Sequence, residues 1–298
     1  MKTPTNPKKE LYAQITDAII ALLESGKTSH LTWARTVNAL PCNHKTGAAY
    51  QGVNVLLLWA AAMTHGYASD RWLTYKQAAD MGGQIRKGEK SVTCVFFKRI
   101  ERESKNDGDS AKETESVRVI SPFWLFNLEQ IDGIEAPQAA VRLNEFQQID
   151  AAEVVLMHSG AVIFEQGDKA FYRPSTDEIY LPQRPRFASE IEFYSVALHE
   201  LTHWTGAKHR LGRDFADRFG TEAYAFEELI AELGSAFLNA DLGFSAMTIP
   251  NHAGYIEAWL KVLKHDQRAI FTAASQASKA HRYIMDLVEG NRSKQHAA

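Results

Sequence analysis

The sequence predicts an α+β protein, with a mixed α+β first half followed by a mainly helical second half. Three observations predict it. Apolar residues recur at helical spacing near the start and through most of the second half. Two runs rich in β-formers stand close together in the first half. A polar stretch bearing Gly133 and Pro137 separates the two patterns.

The elements follow in order. Leu11, Ile15, Ile19 and Leu22 place one apolar stripe on a helix over residues 9–25, and Gly26 stops it. A second apolar helix is expected over 53–64. Residues 72–78 open a short helix that Gly82 and Gly83 end. Val92 to Ile100 and Val117 to Phe126 read as two strands of one sheet. Between them, Glu101 to Ser116 holds no large apolar residue and reads as a solvated loop. Residues 144–158 form an amphipathic helix and Val162 to Glu165 a strand. Ala170 to Tyr172 and Glu178 to Leu181 flank Pro174-Ser175-Thr176-Asp177, which is hairpin chemistry. Three helices complete the chain, over 189–206, 222–242 and 252–288, the last broken near 265–271. The 298 residues exceed what one core usually serves, so two domains are expected, 1–132 and 139–298.

Composition narrows the class. No apolar run approaches the roughly 20 residues that cross a bilayer, and no secretory pattern follows the polar start, so a cytoplasmic protein without a membrane partner is expected. Cys42 and Cys94 lack metal-ligand spacing and read as small buried residues. The net charge of −3 hides an asymmetry: residues 1–100 hold 13 basic against 6 acidic groups, and the remainder 20 against 30. A basic first third suggests contact with a polyanion.

The strongest chemical signal is His199-Glu200-Leu201-Thr202-His203. Two histidines four apart on a helix share a face and can hold one metal ion, and the glutamate between them can act as general base toward water on that ion. Ser189 and Glu192 are spaced as a capping box, and Ile191, Tyr194, Leu198 and Leu201 supply an apolar face beside the histidines. A third ligand is required, and two sources compete. In the helix around 226–237, Glu228 and Glu232 lie on one face. A Glu-x-x-x-acid helix after the motif resembles the thermolysin-like gluzincins, which favours Glu228 on the metal and Glu232 behind a ligand histidine. The two roles could be exchanged, because thermolysin-like enzymes use Asp at the second place. The rival is His209, which completes a metzincin-like His-Glu-x-x-His-x-x-Gly-x-x-His pattern, with Met247 as its turn. Lys208 and Arg210 flank His209, and positive charge beside a ligand weakens metal binding. Zn²⁺ is the expected ion, with another divalent transition metal such as Mn²⁺ also compatible.

Residues 33–99 interleave aromatics, cations and glycines. Lys45, Tyr50, Asn54, Trp72, Lys76, Gln77, Arg86, Lys87 and Lys90 are the candidate nucleic-acid contacts. The plain alternative makes Trp59 and Trp72 core and the lysines a solvated face.

These residues also carry a resemblance. Asn43 to Asn54, Arg71 to Gln77 and Gly82 to Lys90 resemble the N-terminal domain of the ArdC antirestriction proteins, which TraC-type plasmid primases share. Tyr180-Leu181-Pro182, His199 to Gly206 and Glu227 to Gly234 are similar to the zincin-like domain of the same family. The resemblance implies a single-stranded-DNA-binding module fused to a metallopeptidase-like domain, encoded on a conjugative plasmid and protecting incoming DNA from restriction. It implies single-stranded DNA as partner, an unidentified protein substrate with restriction-system components among the candidates, and Glu228 rather than His209 on the metal. One departure is that Trp33 has no proline beside it.

Overall fold

A computed structural model describes residues 7–24, 39–103, 114–135, 145–213, 222–244 and 253–296. Helix α1 (Pro7–Glu24) buries Ile15 and Ile19 of the expected stripe, and Leu23 with them. Strand β1 (Cys42–Asn43) leads to α2 (Val53–His65), which ends on Gly66 at φ 72°, a left-handed cap that glycine adopts without steric cost. Then come β2 (Arg71–Leu73), α3 (Tyr75–Asp80), β3 (Gln84–Ile85), the long pair β4 (Val92–Glu103) and β5 (Thr114–Asn127), and β6 (Ile131–Asp132). The first sheet runs β1-β2-β5-β4, and β3 pairs with β6.

The second half opens with α4 (Glu145–Ser159) and three strands, β7 (Val162–Glu165), β8 (Phe171–Arg173) and β9 (Glu178–Leu181), ordered β7-β9-β8. β8 is thus an edge strand. Four helices follow: α5 (Glu190–Trp204), α6 (Glu222–Asp241), α7 (Ala253–His265) and α8 (Ala269–His296). The last two are one apolar pattern interrupted at 266–268, as expected.

Two sequence expectations need correction. Trp72 and Leu73 are strand, not helix, pairing with Asn127 and Phe126. The helix begins later because Thr74 caps it: its hydroxyl accepts the Gln77 N–H while the Gln77 side chain returns to the Thr74 N–H. The β4–β5 ladder also continues into the polar stretch, through Glu101↔Ser116 to Glu103↔Thr114. Backbone pairing in a hairpin needs no apolar side chain, so hydrophobicity marks where a ladder is buried, not where it stops. Residues 104–113 lie outside the described residues, as do the expected boundary segment 136–138, Trp33 and Met247.

Packing joins the two halves of the chain. One core joins α1, α2, Val95 and Ile120 to Phe237, Trp259, Leu263 and Ile270 of the helical half, with Trp59 against Phe237 at 5.7 Å between rings. A second core gathers α4, the β7-β9-β8 sheet, α5 and the end of α8. α5 and α6 meet at Gly234, where a Cβ would stand 2.5 Å from Thr202 Cγ2. That missing side chain lets the two helices close to the distance at which their polar faces share one site.

Candidate metal centre

The site grows from the α5–α6 contact. Ser189 caps α5, its hydroxyl accepting the Glu192 N–H at 3.2 Å, and the apolar face of α5 sinks Phe193, Ala197, Leu198 and Leu201 into the second core. His199 and His203 lie beside that face and meet α6. His199 Nε2 stands 3.6 Å from Glu228 Oε2, and His203 Nε2 stands 3.5 Å from Glu228 Oε1. These three residues can place their ligand atoms within 4.8 Å of one another.

Behind each imidazole is a second carboxylate. Glu227 Oε1 is 3.1 Å from His203 Nδ1, and Glu232 Oε2 is 3.6 Å from His199 Nδ1. Arg213 holds Glu227 in turn, with Nη2 to Oε1 at 2.9 Å and Nε to Oε2 at 3.0 Å, and it also donates to the Thr202 carbonyl and the Thr205 hydroxyl.

This donor set fits a divalent ion. An imidazole that donates Nδ1–H to a carboxylate presents the Nε2 lone pair on its other side. His203 is held this way by Glu227, and the Nε2 atoms of both imidazoles face the Glu228 oxygens at 3.5–3.6 Å. That is the separation of neighbouring ligands around a tetrahedral ion with bonds of about 2.0–2.2 Å. Electrostatics agree. Burial works against a charge on His203, but the Glu227 and Glu228 carboxylates outweigh it and push the imidazole up to about 9. His199 is raised well above its ordinary value in the same way, by Glu228 and Glu232 against its burial. Burial raises Glu228, and the two imidazoles more than reverse this, holding it well below the usual carboxylate range. A buried cluster that pulls this strongly on protons pulls on a cation for the same reason.

Glu200 is buried next to the pair, and its Oε2 accepts the backbone N–H of Tyr172 at 2.8 Å. The donor comes from edge strand β8, so the sheet margin borders the centre. The β8–β9 turn is fastened to the chain beyond α5: Asp177, at φ 60°, accepts from the Tyr172 hydroxyl at 2.8 Å and from Arg210 Nη1 at 2.9 Å. Arg210 also covers the Trp204 ring at 3.7 Å. His209 lies in the segment beyond α5, with its side chain 66% exposed, and faces Asp177 at 3.4 Å. It is not among the converging residues, because the chain turns away after Gly206.

Sequence reasoning missed Glu227 and Arg213. The glutamate was legible in principle, since it adjoins Glu228 at the start of the same helix. Nothing in the sequence marks Arg213, whose role depends on the loop after α5 folding back.

The nine candidate nucleic-acid contacts do not form one group. Trp72 is 1% exposed and packs with Leu58, Ala62, Cys94 and Leu125, so it offers no stacking face. Asn54 clamps β4 onto α2 through both hydrogen bonds to Val95 (2.7 and 2.9 Å), and Gln77 is engaged in the α3 cap and by Asn43. Tyr50 is half-buried and stacks on Phe123. Lys45, Lys76, Arg86, Lys87 and Lys90 are exposed, with Lys45 paired to Asp80, and Arg86 to Glu89 and Asp132. Trp124, at 54% exposure, and Phe96 and Phe97 are exposed aromatics that the sequence reading left among ordinary strand residues.

The fold and the converging side chains define a zincin-like metal site, and comparison with known proteins agrees. Residues 150–276 match the family described as zincin-like metallopeptidase, and residues 9–126 match the N-terminal domain of anti-restriction factor ArdC. The crystal structure of the antirestriction ArdC protein from plasmid R388, metal-free, superposes with a TM-score of 0.77 at 37% identity, covering 94% of this chain and 98% of that one. Its Mn(II)-bound form gives 0.75 at 37% identity, covering 93% and 98%. The uncharacterized protein y4eC of Sinorhizobium fredii is 41% identical over 93% of this chain and 92% of its own length. A DNA primase TraC of Escherichia coli is 39% identical over 94% of this chain, which spans only 20% of that primase. The chain belongs to the ArdC family of antirestriction proteins.

Proposed function

We propose that the protein binds single-stranded DNA and carries a zinc-dependent peptide-hydrolysing site, and that it protects incoming plasmid DNA from restriction in the cytoplasm during conjugation. The observation that carries the enzymatic part is the convergence of His199, His203 and Glu228 beside Glu200. His199 Nε2, His203 Nε2 and the Glu228 carboxylate would hold the ion, and Glu227 and Glu232 would orient the two imidazoles. Two imidazoles and one carboxylate favour Zn²⁺, and the Mn(II) in the R388 relative points to the same class of divalent transition metal. When bound, the ion supplies Lewis-acid polarisation of a carbonyl and acidifies water. Glu200 then takes a proton from the attacking water and passes it to the departing amine. The Tyr172 N–H keeps the Glu200 carboxylate aimed at the site. A peptide in extended form can run along the edge strand β8. The substrate this reading favours is a protein of the restriction machinery that meets the same DNA.

A second reading keeps DNA binding and makes the metal structural or the catalysis vestigial, so that protection comes from coating the DNA. The observation behind it is that Glu200 is buried, with one carboxylate oxygen already engaged by Tyr172. Glu200→Gln separates the two. With metal content unchanged, the enzymatic reading expects peptide hydrolysis to fall about 10²–10⁴-fold and protection of transferred DNA in cells to fall with it. Protection at the parent level would sink that reading and leave the coating one.

A further inference from the structure

A groove of about 980 Å³ lies away from the metal centre, between α1, the β4–β5 pair and the α7–α8 elbow. Phe97 and Tyr12 offer aromatic surface along it, and Lys264, His265, Arg268 and Lys279 line it from the elbow and α8. It continues over the elbow into a depression of about 690 Å³ that shares Lys264 and His265, and into another of about 320 Å³ that shares His265. None of the nine nucleic-acid candidates read from the sequence lines it.

We infer that this elbow groove is the track on which a single-stranded polynucleotide lies, its phosphates on Lys264, Arg268 and Lys279 and a base on Phe97. The inference rests on the single-strand-binding reading and names where that binding takes place.

Charge supports it. Residues 101–298 are acidic overall, with 20 basic against 30 acidic groups, yet residues 261–282 hold five Lys and Arg against one acid, Asp266. Lys264, Arg268 and Lys279 of this basic island line the groove, and Lys261 lines the adjoining depression. The acids that face it are already engaged: Asp266 accepts the Arg268 backbone N–H at 2.8 Å, and Glu24 pairs with Lys264 at 2.6 Å on the surface. Glu257 lies at the far end. An exposed pair such as Lys264–Glu24 contributes little and gives way to a phosphate at small cost. Phe97 is 50% exposed, and Arg268 lies over the Tyr12 ring at 5.1 Å. Cations interleaved with aromatic faces along an open groove are how single strands are held without reading sequence. A small ligand would need a closed pocket, and the main groove alone already reaches the upper end of the roughly 300–1,000 Å³ such pockets occupy. An acidic polypeptide would use the cations but gain little from Phe97.

The groove also fits the fold. The elbow belongs to the helical half and β4–β5 to the first half, and Thr16 of α1 donates to the Gln267 carbonyl at 2.7 Å, fixing one wall to the other. A strand bound here contacts both halves at once.

The test uses the full chain and a fluorescein-labelled dT20, with anisotropy titrations over a salt series. Lys264→Ala with Lys279→Ala should weaken binding about tenfold at low salt and reduce the slope of log K against log salt by about 1.4. Both side chains are exposed, so the melting temperature should stay at the parent value. Phe97→Trp should show fluorescence quenching when dT20 is added. If the parent binds dT20 steeply with salt and the double variant keeps the same slope and affinity, the groove assignment is wrong and single-strand binding resides elsewhere. If polyglutamate binds the parent and loses affinity in the double variant while dT20 does not, the groove belongs to an acidic protein partner and the inference is overturned. If the parent does not bind dT20 at all, the single-strand reading falls and takes the inference with it.

Discussion

Between α5 and α6 the charged side chains converge and are buried, whereas around α3 and β3 they diverge and stay in water. His199, His203, Glu227, Glu228, Glu232 and Arg213 occupy one contact between two helices, each held by another of the set. Lys45, Lys76, Arg86, Lys87 and Lys90 are spread over a surface, and the pairs they make are exposed ones. The difference teaches what each region can recognise. Burying several charges is tolerable only when geometry compensates them, so the helix contact suits one small cation at fixed distances. Exposed cations already paired in water contribute little and fix no geometry, so this surface holds nothing at set distances.

The comparison can be broken most severely at the buried site. His203→Ala should abolish stoichiometric metal in the purified protein, read by elemental analysis after zinc loading. Retention of one ion per chain would show that the convergence is not a metal site. Glu227→Gln should lower metal affinity about 10–100-fold, because His203 loses the partner that fixes its tautomer and orientation. It also strands Arg213, and a buried charge left unpaired costs about 3–5 kcal/mol, so the melting temperature falls and the metal titration is run well below it.

Acidity sharpens the same contrast. Because His203 is pushed up to about 9, it is protonated below that pH and must lose the proton before it can bind metal. Metal affinity should therefore rise with pH as His203 and His199 lose their protons, and Glu227→Gln should move that rise to lower pH. Isothermal titration from pH 6 to 10 tests this, and a flat profile contradicts the coupling. The smallest effects belong to the open surface. Lys87→Ala should leave the salt slope of single-strand binding at the parent value, because Lys87 is exposed but does not line the elbow groove. Trp72→Phe should lower the melting temperature without altering that slope, since Trp72 is core.

Much of the secondary structure was readable because amphipathic helices repeat on a short period. α1, α2 and α4 to α8 fall within a few residues of their apolar patterns, except α8, which runs on to His296, and Ser189 marks the start of α5 where its capping role requires. Trp72 misled because an aromatic residue beside basic ones reads alike as a stacking face or as core, and only the packing of α2 against the sheet separates them. Asn54 and Gln77 misled similarly: both can hydrogen-bond, and the sequence does not say that β4 and the α3 cap have already engaged them.

By itself the sequence determined the pair of imidazoles, because His199 and His203 are four apart and helix geometry puts them on one face, with Glu200 adjoining the first. It also determined that Glu228 and Glu232 share a face of α6. The meeting of those two faces was decided by tertiary structure: Gly234 admits Thr202, α5 and α6 close, and Arg213 folds back to hold Glu227. The elbow groove has the same origin, since its cations and its aromatic rings come from segments more than a hundred residues apart. Periodicity speaks for neighbours along the chain, and contacts across it exist only once the core shared by both halves has formed.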